Sequence, residues 1–386
     1  MGTLQVGPAT DRLQRRPADG ASLAFAPLAG ILARAMPSFA DFRSDTMTVP
    51  TAAMRQAMAA AEVGDDVWGE DPTVRRLEEE GAAYLGKEAA LYLPSGTMAN
   101  QVAIHVHCRS GDELICEERC HAYYYEAGGI ARWSATQVRT LVAADGFPSP
   151  AQVAAAVRRD DPHFCKSRLL LVENTHNMAG GRVADGARIG ALAAVARQHG
   201  LLVHCDGARL ANAAVALGCR ASDLVAACDS TTLCLSKGLG APVGSLLAGS
   251  CAFVAAARRA RKAFGGGMRQ AGVIAAAAQL ALRDGPALLV HDHTRAKSLA
   301  LGLAELPWAQ VDVAATETNI VMCDLRAGEP TELVAHLKAH GVLAAGAGAQ
   351  RVRFVLHRDL DAAAVQRCLQ ACRSFRPAAS RSSNPS

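Results

Sequence analysis

The sequence predicts an α/β protein: a mostly parallel central sheet with helices on both faces, followed by a smaller C-terminal α/β domain. Three observations carry this. Short apolar runs of strand length alternate with segments of helical spacing between residues 168 and 249. Glycine and proline punctuate the joins. Beyond about residue 250 the pattern turns mostly helical, and two further strand-like runs follow.

Residues 1–40 have no clear period and mix Gly, Pro, Ser and Ala with Arg12, Arg15, Arg16 and Arg34. They read as an extension, either disordered or an Arg-rich targeting peptide. A large domain is expected over residues 41–290. In it, Leu91–Pro94 leads through Ser95-Gly96-Thr97 into helical spacing from Met98. Arg168–Glu173 is a continuous apolar run, as a strand buried on both faces requires. Gly186–Gly200 has helical spacing and stops on a glycine suited to a left-handed cap. Leu201–Cys205 is again strand-like, Arg209–Leu217 helical, and Ser230–Ser236 and Ser245–Ala248 strand-like. This alternation makes βαβ units. Helical patterns fill Phe253–Lys262, Arg269–Leu282 and His293–Leu306, the last stopped by Pro307. A small domain is expected over 291–373, with strands at Asn319–Cys323 and Arg351–Leu356 and helices at Thr331–His340 and Leu360–Cys372. Residues 374–386 are rich in Ser, Pro and Arg and read as a disordered tail.

Half of the 386 residues are apolar, enough for a sizeable core. No uninterrupted apolar run reaches the roughly 18 residues of a membrane span. The formal charge of +4 resides in residues 1–40 and 374–386, and the body between them is neutral. That argues against nucleic acid as a partner. The twelve cysteines include no CxxC pair, and Cys205, Cys234 and Cys323 sit in apolar runs. A reducing compartment follows: the cytoplasm, or the mitochondrial matrix if residues 1–40 act as a targeting peptide. Cys116-x3-Cys120-His121 lacks a second ligand pair, so no metal is expected.

In an open parallel sheet, ligands gather outside the carboxyl ends of the strands. After Arg168–Glu173 come Asn174-Thr175-His176-Asn177; after Leu201–Cys205 come Asp206 and Arg209; after the third strand come Ser236-Lys237. Each alone has an ordinary explanation. Asp206 caps a helix, His176 sits in a loop, Arg209 faces solvent. Together they occupy equivalent positions on one edge. The 31 residues from Asp206 to Lys237 suit one helix-and-strand excursion back to that edge. A lysine for an imine and an acid for a pyridine nitrogen point to pyridoxal 5'-phosphate. Gly96-Thr97 at a helix start offers free amides and a positive dipole end to its phosphate.

The chain resembles the low-specificity L-threonine aldolases, of the fold-type-I pyridoxal-phosphate enzymes and the β-eliminating lyase family. The matching stretches are DFRSDTMTVPT (41–51), VGDDVWGEDPTVRRLE (63–78), LPSGTMANQ (93–101), HAYYYEAGG (121–129), LLLVENTHN (169–177), HCDGARL (204–210), CLSKGLGAPVGSLLAG (234–249), GGGMRQAG (265–272) and RFVLH (353–357). The resemblance implies an aspartate-aminotransferase-like fold. It implies that Lys237, next to Ser236, carries the cofactor as a Schiff base. Asp206 would meet the pyridine nitrogen, Arg209 the phenolic oxygen and His121 the ring face. Gly96 and Thr97 would hold the phosphate, with Arg269 reaching it from a neighbouring subunit. Ser44 and Arg353 would grip the substrate carboxylate, and His176 would lie near the substrate hydroxyl. The activity implied is retro-aldol cleavage of L-threonine or L-allo-threonine, a β-hydroxy-α-amino acid, to glycine and acetaldehyde, in threonine catabolism. A homotetramer built as a dimer of dimers is implied too. Trp68, counted among the substrate-binding positions, stands where the family usually has tyrosine. It has an indole donor but no phenolic oxygen. Two other readings stay open: a lyase that eliminates a group from Cβ, and a non-catalytic relative acting in assembly.

Overall fold

The structure, a computed structural model, describes residues 39–377. The expected extension, except for its last two residues, and residues 378–386 lie outside the described residues. Seven strands form the central sheet: β1 (Ala89–Leu93), β2 (Glu113–Glu117), β3 (Gln137–Leu141), β4 (Ser167–Glu173), β5 (Leu202–Asp206), β6 (Ser230–Cys234) and β7 (Ser245–Gly249). Their order is β1-β7-β6-β5-β4-β2-β3. Pairing is parallel from β6 through β5, β4 and β2 to β3, while β7 runs antiparallel to β1 and β6. Strand β7 thus departs from an all-parallel sheet. Its connection from β6 is only the loop 235–244, too short for a crossover helix, so the chain must reverse.

β2, β6 and β7 are buried along their whole length, the mark of a sheet covered on both faces. On one face Leu91, Leu93 and Leu247 pack with Ala99, Val102 and Ala103 of the helix Gly96–His107, backed by Phe253, Val254 and Ala257 of the helix Cys251–Ala263. Small alanines let these helices lie close to the sheet. The opposite face holds a larger core that includes Leu77, Leu192, Val203, Leu233 and Leu246.

A second core lies in the C-terminal part. Its antiparallel sheet runs in the order Ala345–Gly346, Arg351–Val355, Ile320–Leu325, Ala309–Gln310. The helix Leu289–Ala304 joins the cores: Leu289 belongs to the larger, Leu299 and Leu303 to the smaller. Ala40 and Phe42 also belong to the smaller core, although the sequence assigns residues from 41 onward to the large domain. The reason is a two-residue parallel pairing, Ala40–Asp41 with Val342–Leu343. The expected disordered tail also begins too early. The last helix, Ala362–Ser374, extends to Ser374, and Phe375 is buried edge-on against Trp308. A single aromatic ring anchors a stretch whose composition reads as disordered. Among the described residues no single helix is long and apolar enough to cross a membrane.

Candidate active site

The carboxyl ends of β1, β2, β4, β5 and β6 lie on one edge, and the expected residues follow them. Asp206 ends β5 and is 1% exposed. Asn100 Nδ2 donates to its Oδ2 at 2.8 Å and Ala208 N to its Oδ1 at 3.0 Å. This does not cap the following helix, Leu210–Leu217, whose start has no side-chain cap. Burial pushes the Asp206 carboxyl up, but the charges of His121 and Lys237 hold it below its usual value. It is therefore an anion at neutral pH.

Lys237 follows β6 and is half-buried, as is Ser236. Thr48 Oγ1 and Gly240 N donate to the Lys237 carbonyl at 3.2 and 2.8 Å, which pins its backbone. Among the described residues its ammonium has no hydrogen-bond or ion-pair partner.

Two arginines stand beside it. Arg209 forks onto Asp45, with Nε and Nη2 each at 2.7 Å from a carboxylate oxygen. Asp45 is fully buried; burial pushes its carboxyl up, yet the Arg209 guanidinium and Lys237 hold it far below the usual range. Asn177 Oδ1 accepts from Arg209 Nη1 at 3.3 Å and from Arg353 Nη1 at 2.8 Å, so one amide ties both cations together. Arg353 Nε is buried without a partner among the described residues. Arg351 shares the strand face but is bound at 2.6 and 2.8 Å to Asp324. That leaves Arg353 as the cation with a donor to spare. Ser44 Oγ accepts from Thr46 N at 3.2 Å and adjoins Asp45.

The turn His121–Tyr124 follows β2. His121 N donates to Glu173 Oε2 at 2.6 Å, and its Nδ1 lies 2.9 Å from Glu126 Oε1. The imidazole is 31% exposed. Burial pushes its pKa down, but Glu126 and Asp206 outweigh this and raise it.

His176 requires a correction. It is fully buried, with Nε2 3.0 Å from Glu117 Oε2 and Nδ1 accepting from Ala179 N at 3.2 Å. Both ring nitrogens face protein, so the imidazole clamps the ends of β2 and β4 and does not present itself to a substrate hydroxyl. The sequence puts it at the correct edge but cannot tell which way the ring turns. Burial pushes its pKa down, and Glu173 and Glu117 more than reverse that. A raised folded pKa gives stability that is fully present below the unfolded value of about 6.5 and is lost as pH rises through the folded one. The decline in urea midpoint above pH ~6.5 is therefore expected to be shallower in His176→Gln than in the unsubstituted protein.

At the end of β1, Ser95 Oγ accepts from Met98 N at 3.1 Å and caps the helix Gly96–His107. The Gly96 and Thr97 amides remain free of helical partners. A Cβ on Gly96 would stand 2.6 Å from Cys234 Sγ, so only glycine lets the helix start close on β6. Trp68 and Arg269 stand apart. Trp68 is 77% exposed, and Arg269 is bound at 3.1 Å to Asp65.

Asp45, Asn100, Glu126 and Asn177 are site residues that sequence reasoning did not single out. Each adjoins or lies in a stretch that it did quote: beside Ser44, on the helix that Gly96 opens, five residues after His121, and beside His176.

These residues fit pyridoxal phosphate. A partnerless amine, a buried anion, an imidazole, amides at a glycine-tight helix start and an orphaned arginine nitrogen share one edge. They match an amine-reactive aldehyde, a ring nitrogen, a ring face, a phosphate and an amino-acid carboxylate.

Comparison with known proteins agrees. A family profile described as "Beta-eliminating lyase" matches residues 41–326. The chain is 45% identical over 327 residues to "Low-specificity L-threonine aldolase 1" of Arabidopsis thaliana, covering 83% of this chain and 91% of the relative. It is 44% identical over 322 residues to the low specificity L-threonine aldolase of Escherichia coli K12, covering 83% and 94%. A solved Leishmania major threonine aldolase superposes with a TM-score of 0.75 over 86% of this chain and 98% of that one, at 20% identity, a likeness of fold.

Proposed function

Because the chain belongs to the beta-eliminating lyase family, we propose that it is a pyridoxal-phosphate-dependent carbon–carbon lyase that cleaves L-threonine and L-allo-threonine to glycine and acetaldehyde. The observation that carries this is the partnerless Lys237 amine on the same sheet edge as the buried Asp206 carboxylate. The cofactor, when bound, supplies an electron sink for the bond broken at Cα.

The chain's own residues do the rest. Lys237 would hold the cofactor through its amine, and that amine, when free, would carry a proton at Nζ. Asp206 would hold a proton on the ring nitrogen. Arg209, fixed by Asp45, would meet the phenolic oxygen. The Gly96 and Thr97 amides would bind the phosphate beside Ser236. Arg353, oriented by Asn177, grips the substrate carboxylate through its fork with help from Ser44. That grip would set which bond at Cα is broken. His121, whose Nδ1 is held by Glu126, would receive the hydroxyl proton at Nε2, a role that buried His176 does not fill.

Incubating the purified protein with L-threonine and analysing the products tests this. Glycine with acetaldehyde is expected. Production of 2-oxobutyrate instead would assign β-elimination, and no turnover with bound cofactor would leave the assembly reading.

We propose that the chain acts as a homo-oligomer, a dimer of dimers, in which Trp68 and Arg269 complete a neighbour's site. The 77% exposure of Trp68 supports this. Mixing inactive Lys237→Ala and Arg269→Ala subunits after dissociation is expected to restore partial activity; sites confined to one subunit would restore none. Trp68→Tyr keeps an aromatic ring at that contact but exchanges an indole donor for a phenolic hydroxyl, and should shift KM in steady-state kinetics. A reducing compartment, the cytoplasm or the mitochondrial matrix, is the proposed location, in keeping with twelve free thiols.

A further inference from the structure

Glu126 is a buried acid to which the steps above give no role. It is 5% exposed and has no arginine or lysine partner among the described residues. Three side-chain nitrogens converge on it: His121 Nδ1 at 2.9 Å and Asn100 Nδ2 at 3.0 Å on Oε1, and Gln101 Nε2 at 2.7 Å on Oε2. Such a set satisfies a carboxylate. The same Asn100 Nδ2 also donates to Asp206 Oδ2 at 2.8 Å. One amide group therefore bridges two buried acids, and His121 is the nearby side chain able to balance the second.

The two acids fix the orientation of Asn100. Glu126 Oε1 and Asp206 Oδ2 lie 3.0 and 2.8 Å from one end of its amide, and carboxylate oxygens only accept, so that end is the NH2 group. The Asn100 oxygen is thereby turned to the far side, 3.4 Å from Nε2 of the fully buried His204.

The backbone is bent to present Glu126. Ala127 has φ +54°, in the left-handed region that a residue with a Cβ seldom enters. Gly128 follows at φ +69°, and a Cβ on Gly129 would stand 2.7 Å from the Gln101 side chain. Strain of this kind persists where the surrounding structure enforces it, commonly at functional sites.

We propose that Glu126 is a positioning residue for the lyase reaction: it fixes His121 with its proton on Nδ1 and Nε2 toward the ligand, and through Asn100 couples it to Asp206. This rests on the function proposed above. The groups facing His121 are Glu126 from its own segment, Asp206 from β5, Glu173 from β4, Lys237 after β6 and the Tyr125 ring at 5.7 Å. Of these acids, Glu126 alone contacts the imidazole nitrogens among the described residues.

The test reads His121 directly, in cofactor-free protein, by NMR titration, with the signal assigned by its loss in His121→Asn. In the unsubstituted protein the midpoint is expected above the ordinary histidine value of about 6.5. In Glu126→Gln it should fall by about one unit or more, and the acid limb of the kcat/KM profile should move down with it. An unshifted midpoint in a folded Glu126→Gln protein would overturn the proposal. Should that variant not fold, a midpoint at or below about 6.5 in the unsubstituted protein overturns it equally. Failure of the function itself would appear differently, as absence of glycine release by unsubstituted protein whose His121 titrates as expected.

Discussion

Lys237→Ala is expected to abolish turnover. On the proposed function, the substitution removes the amine that would hold the cofactor covalently and the proton carrier at Cα. General acid–base catalysis alone contributes about 10²–10⁴-fold, and the lost covalent route adds to it, so a fall in kcat of at least about 10⁴-fold is expected. Folding should survive, because the Lys237 ammonium bonds to no other described side chain and its backbone is held through the carbonyl. Borohydride reduction followed by peptide mapping checks the covalent claim. The label should fall on the peptide containing CLSKG and vanish in the variant. A label on any other lysine, or activity within tenfold of normal, would sink the assignment.

Asp206→Ala comes next in size. The carboxylate is 1% exposed; burial pushes its pKa up, and the charges of His121 and Lys237 more than offset that. Removing one member of a buried charge pair costs about 3–5 kcal/mol. At about 1.4 kcal/mol per decade, kcat/KM should drop by roughly two to four decades. Cofactor affinity should fall as well, read by fluorescence titration. The depressed folded pKa also has a stability consequence. Its contribution is present above the unfolded value near 3.9 and is lost as pH falls through the lower folded value. Acid unfolding of Asp206→Ala should thus lack that part of the steepness below pH ~4. Near-normal kcat/KM in a folded variant would refute a role at the ring nitrogen.

Much of this was legible without coordinates. Apolar runs of strand length over Arg168–Glu173, Leu201–Cys205 and Ser230–Ser236 marked three adjacent strands, because burial on both faces demands uninterrupted hydrophobicity. Breakers after each run marked where the chain turns. Polar residues at those breaks marked the ligand edge, since a parallel sheet directs all such ends one way. Lys237, Asp206 and Arg209 were therefore accessible to sequence reasoning, and the quoted stretches around Ser44, His121 and Arg353 fixed the family.

Tertiary structure alone decided the side-chain directions and pairings. Arg351 and Arg353 lie on one strand face, and only the position of Asp324 shows which is neutralised. His176 sits at the correct edge but turns inward, since Glu117, 59 residues earlier, captures its ring. Asp45 meets Arg209 across 164 residues, and Asn100 reaches Asp206 across 106. Periodicity reports which face of its own element a residue occupies. It carries no record of which distant partner the fold brings to that face, and the charge of a buried group is set by that partner.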